Sequence, residues 1–261
     1  MSPISRKIPS KGAPPKKRKN IQEVFVKTFK EFVDEIVGCD SIDSCVYRGQ
    51  SRDWPLLPKI ARIKPRESVV KSEQQSVLEF RRSVGQFLND PPGTDWDLLA
   101  LAQHHGMATR LLDWSRNPLV ALFFAVEQPS VLKPPKPAVV WRFEPKDVDY
   151  VDALSGSDPF NTKRTLLFVP KLVTKRIQVQ SGLFSVHYIM KGKKREFLPL
   201  DENSTYVNKL KKIIILPEAI SESRYMLDHF GVNRATLFPD LDGLCQHITW
   251  CQSILSDEEQ V

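Results

Sequence analysis

The order in which helical and extended patterns follow one another constrains the fold of this chain most strongly. Apolar residues recur three and four positions apart mainly in the first half, which predicts helices there. Short continuous apolar runs are concentrated in the second half, which predicts buried strands. The helical patterns cover residues 21–37, 68–88, 96–104, 119–126, 221–229 and 244–254, and the strand patterns cover 45–47, 111–112, 138–143, 166–169, 176–180 and 212–216.

This order contains no regular alternation of strand, helix and strand, which a doubly wound parallel sheet would require. The sequence therefore predicts an α+β fold, with a helical first half and a mixed or antiparallel sheet. The sequence shows no internal repeat and no glycine-rich phosphate loop. We expect residues 21–261 to form a single domain.

The net charge of +7 arises from the N-terminal tail. Residues 1–20 hold seven of the 38 Lys and Arg and no acidic residue, which leaves 31 basic residues against 31 acidic ones in the rest of the chain. Such a basic segment, with few large aliphatic residues, is typical of a disordered tail, and an ordered arm is the alternative. Its basic run at 16–19 is compatible with a nuclear address or a phosphate tether. Nucleic-acid binding by the folded part would need a local basic patch.

Composition and cysteine spacing exclude several protein classes. No apolar stretch reaches the roughly 20 residues that span a bilayer, and the start lacks the apolar segment of a secretory signal. We therefore expect a cytoplasmic protein without membrane contact. Cys39 and Cys45 form one six-residue spacing, and Cys245 and Cys251 form another, with His247 between them. These spacings match neither a disulfide framework nor a zinc motif, and no metal site is predicted.

Polar side chains are concentrated at residues 103–115, between two strongly apolar segments. Polar groups beside a core are costly unless they are hydrogen-bonded, so this segment forms either a buried structural network or the wall of a pocket. Arg110 and Asp113 could pair to brace a turn, and Ser115 could cap the helix that begins near Pro118. The start of that helix would also favour a phosphate.

Several motifs of the chain together resemble one domain family. They are Tyr47-Arg48-Gly49-Gln50, the segment from Gln103-His104-His105-Gly106 to Trp114, the apolar segment 117–125, and two later pieces at 176–184 and 231–243. In this combination the chain resembles the FRG domain family, which is named for a (Phe/Tyr)-Arg-Gly motif. The resemblance covers about residues 21–250. It does not by itself imply a biochemical activity.

A second, more distant resemblance does imply an activity. In ADP-ribosyltransferases of the Arg-Ser-Glu type, an Arg-containing strand is followed by a polar strand that leads into an Ala-x-x-Phe-Ala helix. Arg48, segment 109–115 and segment 121–125 are similar to these pieces. The resemblance implies a split sheet and NAD as substrate, with its pyrophosphate held by the arginine and the helix start. The cofactor-binding residues that it implies are Tyr47, Arg48, Gly49, His104, His105, Thr109, Arg110 and Ser115.

The last piece of the transferase pattern is where this chain departs from it. The matching late strand would carry a catalytic Glu, but this chain has Gln178 and Gln180 there. A carboxylate stabilises an oxocarbenium-like centre, whereas an amide only hydrogen-bonds. Glu196 and Asp113 are the alternative acids. The catalytic residues implied in this way are Arg48, Asp113, Gln180 and Glu196.

Three functions follow from these patterns. The first is an NAD-using ADP-ribosyltransferase-like enzyme, such as a toxin or defence effector, acting on a protein or nucleic-acid acceptor. The second is a non-catalytic module that binds a nucleotide or nucleic acid. The third is a protein-interaction domain with a purely structural polar network. The first two functions both require Arg48 and segment 109–113 to converge on one hollow that solvent can reach. Glu196 facing Arg48 across that hollow would favour catalysis, and Glu196 pointing into solvent would favour binding.

Overall fold

A computed structural model of the chain describes residues 21–39, 42–65, 67–88, 91–129, 134–152, 157–171, 175–190 and 196–258. The tail expected to be disordered, residues 1–20, lies outside the described residues. The strands are β1 Gln22–Val26, β2 Val46–Gln50, β3 Leu111–Ser115, β4 Ala138–Phe143, β5 Leu166–Phe168, β6 Gly182–Val186 and β7 Leu210–Ile215. The α-helices are α1 Phe29–Val37, α2 Val69–Ser83, α3 Asp95–His104, α4 Pro118–Val126, α5 Lys175–Val179, α6 Pro217–His229, α7 Arg234–Leu237 and α8 Leu241–Cys251.

The seven strands form one mixed sheet in the order β1-β7-β4-β2-β3-β6-β5. β1 runs parallel to β7, and the other neighbouring strands are antiparallel. The predicted α+β class with a mixed sheet is therefore confirmed. The separation of helices and strands is less sharp than expected, because three strands lie before β4 and four helices follow it.

Near the centre of the sheet, the neighbouring strands β2 and β3 share the fewest paired residues. β2 pairs with β4 along five residues, and β3 pairs with β6 along five. In contrast, β2 and β3 pair through a single position, Tyr47 opposite Ser115. Two well-bonded blocks of strands therefore meet at one residue pair, and the strands separate beyond it.

Helices cover the sheet because each strand alternates its side chains between two apolar faces. One face carries Tyr47 and Val140 and packs against α1, α4 and α6. The other face carries Val46 and Trp141, which belong to a second apolar cluster. A third cluster joins α2 and α3 to the β3-β6-β5 block.

The contact between α4 and β2 depends on Gly49. A Cβ atom built at Gly49 would lie 1.8 Å from the carbonyl oxygen of Ala121 and 2.7 Å from the backbone nitrogen of Ala125. No other residue type fits at this position without moving the helix. The glycine of the Tyr-Arg-Gly motif therefore permits the backbone of α4 to lie directly against the strand that carries Arg48.

The helix predicted to begin at residue 21 is wrong in its first eight residues. Residues 22–26 form β1, in which the Phe25 side chain is 58% exposed and Val26 is buried. α1 begins only after Thr28, whose hydroxyl accepts a hydrogen bond from the Glu31 N–H. The four-residue spacing from Phe25 to Phe29 imitated a helical repeat across this boundary.

The strand predicted at residues 176–180 is also wrong. This segment forms α5 and the turn after it, and the neighbouring strand β6 begins at Gly182. Ser181 between them has a positive φ of 48°, which turns the chain sharply into the strand. The other predicted helices and strands are confirmed with shifted ends. None of the described helices has the length and apolarity required to cross a membrane.

Candidate functional site

A cleft of about 480 Å³ opens where β2 and β3 separate. Its floor comes from the two strands, and its walls come from the first turns of α4, the end of α3 and the irregular segment after β2. The volume lies in the range of about 300–1,000 Å³ that is usual for small-molecule sites. The side chains that line it include Arg48, Trp54, Lys59, Arg62, Gln103, His104, Asp113, Ser115, Phe124 and Gln180.

Arg48 braces the open junction of the sheet. Its guanidinium donates a hydrogen bond of 2.8 Å from Nη1 to the backbone carbonyl of Asp113, and the same nitrogen lies 3.5 Å from the Asp113 Oδ2. The side chain is only 17% exposed, and burial lowers its pKa, while the Asp113 charge acts in the opposite direction. Arg48 thus replaces a missing strand-to-strand hydrogen bond and places a cation at the cleft floor.

Asp113 is held at the cleft by neighbours on both sides. Its carboxylate is 56% exposed and accepts from the Gln103 Nε2, at 3.3 Å to Oδ1 and 3.1 Å to Oδ2. The Gln103 Oε1 in turn accepts from the Thr109 hydroxyl at 2.7 Å. This chain of hydrogen bonds fixes the orientation of a carboxylate that still reaches solvent.

Further cations and an aromatic ring come from the segment after β2, where the sequence predicted no site residue. Lys59 and Arg62 lie on the cleft wall, and the Lys59 Nζ donates to the Gly106 carbonyl at 2.6 Å. The indole of Trp54 is partly exposed there as well. The Arg62 charge also lowers the pKa of Arg48, although less than burial does. Three cations and one carboxylate therefore line the cleft.

Three residues expected to bind the cofactor do not line the cleft. The Arg110 side chain is buried and forms a two-pronged ion pair with Glu73, through Nε at 2.9 Å and through Nη2. It also stacks on the Phe160 ring. Thr109 is buried, and its hydroxyl donates a hydrogen bond to Gln103. His105 is exposed and lines a different, apolar pocket. Arg110 is therefore a core residue, and its partner is Glu73 rather than Asp113.

Ser115 and Gln180 line the cleft, but their polar groups already have partners. The Ser115 hydroxyl donates to the Gln180 carbonyl at 2.6 Å and accepts from the Asn117 N–H at 2.9 Å. The Gln180 amide donates to the Leu237 carbonyl at 3.0 Å. Glu196 is not among the lining residues, and its backbone lies beside Met190. Of the four expected catalytic residues, the structure brings Arg48, Asp113 and Gln180 together and leaves Glu196 outside.

The start of α4 offers less to a phosphate than its sequence suggests. Asn117, not Ser115, is the capping residue, and its side chain accepts from the Leu119 N–H at 2.9 Å. Pro118 has no N–H. The first two positions of the helix therefore offer no free donor, and anion binding in the cleft depends mainly on side-chain cations.

A buried histidine, His187, lies behind the cleft floor. The Ser185 hydroxyl links it to Trp114, at 3.2 Å from the His187 Nε2 and 2.9 Å from the indole nitrogen. The His187 Nδ1 has no hydrogen-bond partner in the described part of the chain. Burial, together with the nearby Arg48 charge, lowers the pKa of His187 to about 3. The imidazole is therefore neutral and adds no second positive charge near Arg48.

The central part of the chain matches a known family model. The model of the FRG domain covers residues 43–133. The chain carries an FRG domain. Of the residues that line the cleft, all except Gln180 lie inside this matched FRG region. The Arg-Gly pair that the family name denotes has two roles here, since Arg48 braces the sheet and Gly49 admits α4. Neither a curated protein nor a solved structure shows a significant match to the chain.

Proposed function

We propose that the FRG cleft binds a nucleotide through its phosphate groups, with NAD as the first candidate. The observation that carries this proposal is the convergence of Arg48, Lys59 and Arg62 on one cleft, whose described lining contains a single carboxylate. Cations grouped in a partly buried hollow attract phosphate more strongly than dispersed surface charges do. The position of Glu196 outside the cleft favours binding over turnover.

The remaining lining residues suit the other parts of a nucleotide. Trp54 and Phe124 provide aromatic surfaces against which a base can stack. Gln103 and Asp113 offer an amide and a carboxylate to ribose hydroxyl groups. A nucleotide contains a base, a sugar and phosphates, and the cleft presents a matching group for each.

Isothermal titration calorimetry with NAD, ADP-ribose and AMP tests the proposal, with adenosine and nicotinamide as ligands that lack phosphate. We expect saturable binding of the phosphate-bearing ligands. Arg62→Ala should weaken their binding by about 10- to 100-fold, because a charge-assisted hydrogen bond contributes roughly 1.5–3 kcal/mol. Arg62 is exposed, so this change should leave the fold intact.

Arg82→Ala is the matched control. Arg82 is an exposed arginine on α2 that pairs with Glu79 and does not line the cleft. Its loss should leave nucleotide affinity unchanged. The proposal is refuted if adenosine binds as well as AMP, or if Arg62→Ala and Arg82→Ala have equal effects.

ADP-ribosyl transfer is a second candidate function, which Asp113 favours. Among the described lining residues it is the one carboxylate, and Gln103 and Arg48 orient it. In such a reaction the bond between ribose C1′ and the nicotinamide nitrogen breaks, and nicotinamide leaves as a neutral molecule. A nucleophile of the acceptor, or water, bonds to C1′ and loses its proton, and an acidic side chain stabilises the positive charge that develops on the sugar. We expect Asp113→Asn to lower nicotinamide release from NAD by about 100-fold or more while NAD binding persists. Absence of nicotinamide release from the unmodified protein would leave nucleotide binding as the function.

A further inference from the structure

Three metal-binding side chains converge between α6 and α8, and none of them lines the FRG cleft. They are Asp228 near the end of α6, and His247 and Cys251 on α8. We propose that these three side chains bind a zinc ion, with a water molecule or an outside ligand as the fourth donor. The proposed site shares no residue with the FRG cleft, so it stands or falls independently of the nucleotide proposal.

The distances between the donor atoms suit a tetrahedral zinc ion. The Cys251 Sγ lies 3.7 Å from the His247 Nε2, and the same nitrogen lies 3.7 Å from the Asp228 Oδ1. Zn–S bonds of about 2.3 Å and Zn–N and Zn–O bonds of about 2.0–2.2 Å at tetrahedral angles give separations of about 3.6 Å for S to N and about 3.4 Å for N to O. All three donors lie within 4.8 Å of one another. Rotation of the His247 ring would complete the geometry, because the Cys251 Sγ also lies 4.0 Å from the His247 Nδ1 and is therefore beside the ring rather than in line with Nε2.

The local structure explains why these residues meet. His247 and Cys251 are four residues apart on α8, so their side chains share one helix face. The Asn233 amide donates to the Asp228 Oδ1 at 2.8 Å and orients the carboxylate towards that face. The His247 ring is stacked on Trp250, with 5.9 Å between ring centroids. Hydrogen-bonded and packed neighbours of this kind are typical supports of metal ligands.

The donor set indicates which metal fits. A thiolate, an imidazole and a carboxylate in tetrahedral disposition suit zinc, whereas magnesium and calcium require oxygen donors. Three protein ligands also leave one coordination position open. Asp228 and His247 line a cavity of about 220 Å³, so the open position would be accessible from that cavity.

A metal at this point would fasten a helix that is weakly anchored by apolar packing. Gly243 is the one fully buried residue of α8, and Leu241, Leu244 and Ile248 are exposed. A zinc ion between Asp228 and the helix would tie it to α6. Zinc should therefore raise the thermal stability of the whole chain, because an ion that binds only the folded state shifts the unfolding equilibrium.

The test combines metal content, spectroscopy and stability on the full chain. The protein is stripped with a chelator, loaded with Zn²⁺ or Co²⁺ and dialysed. We expect about one zinc per chain, a near-ultraviolet thiolate-to-metal charge-transfer band with Co²⁺, and a higher melting temperature with zinc than with chelator. His247→Gln and Cys251→Ser should each lower zinc affinity by about 100-fold or more and abolish the charge-transfer band.

Cys245→Ser is the matched control, because Cys245 is an exposed thiol on the same helix but is outside the cluster. It should keep full zinc binding. Cys39 and Cys45 remain in every variant, so zinc that survives Cys251→Ser would have to be bound elsewhere. Each variant is compared with the unmodified protein in chelator, where equal melting temperatures establish that folding is intact. The proposal is overturned if Cys245→Ser and Cys251→Ser have the same effect, or if no stoichiometric zinc survives dialysis.

Discussion

Replacing Gly49 by alanine tests the packing that supports the cleft. The added Cβ would lie 1.8 Å from the Ala121 carbonyl oxygen, whereas an ordinary contact begins at 3.4 Å. The helix α4 and the strand β2 must therefore separate by roughly 1.6 Å. Both obstructing atoms nearest the new methyl group belong to the backbone, so no side-chain rotation relieves the clash. Overpacking of a core usually costs about 1–3 kcal/mol, and a clash with a helix backbone lies at the upper end.

We expect Gly49→Ala to lower the free energy of unfolding by about 3 kcal/mol or more, measured by urea denaturation with tryptophan fluorescence. In a chain of this size that loss corresponds to roughly 6–12 °C in melting temperature. Gly85→Ala is the control, because a Cβ there meets nothing within 4 Å and the backbone φ is not positive. It should range from neutral to about 1 kcal/mol stabilising, through the unfolded state. A loss below about 1 kcal/mol for Gly49→Ala would refute the reasoning.

Two further predictions concern buried titratable side chains. The folded-state pKa of His187 is about 3, below the usual value of about 6.5 for the unfolded chain, so its stabilising effect is present above pH 6.5 and is lost as the pH falls towards 3. The free energy of unfolding should therefore be about 2 kcal/mol lower at pH 5 than at pH 7 because of this residue. In urea denaturation, the His187→Gln variant should lose this pH dependence, whereas the variant of the exposed His105, His105→Gln, should keep it. Glu73→Gln should cost about 3–5 kcal/mol in the same assay, because it leaves the Arg110 guanidinium buried without a carboxylate, whereas surface Glu79→Gln should change little. Equal losses of stability in Glu73→Gln and Glu79→Gln would contradict the assignment of Arg110 to the core.

Helices and strands could be predicted from the sequence where the apolar pattern was compatible with only one of the two. The helix at 118–126 and the strand at 138–143 were predicted nearly to the residue, because both are long apolar runs with clear ends. The boundary between β1 and α1 was missed although Thr28 and Glu31 form a capping pair that the sequence displays. At 176–180 the alternation of apolar and polar residues imitated a strand, and only the turn at Ser181 reveals that the strand starts later.

The candidate site was harder to predict than the fold, because the residues that contact one another there are far apart in the sequence. The motif residues indicated Arg48 and Asp113, which the structure brings within hydrogen-bond distance. Polarity alone could not distinguish Asp113 from Arg110, since the burial of Arg110 depends on Glu73, which is 37 residues away. The donors of the proposed zinc site were missed for the same reason: Asp228 belongs to another helix, so no local spacing relates it to His247.

The single pairing position between β2 and β3 determines how the cleft can respond to an occupant. On either side of it the strands are joined by full ladders, and widening the molecule there would break several backbone hydrogen bonds at once. Beneath the cleft, the Tyr47–Ser115 position and the Arg48 brace oppose separation, together with the apolar contact between Trp114 and Phe143. A molecule larger than the resting hollow would therefore be accommodated by spreading the sheet along this line, where the fewest strand pairings have to break.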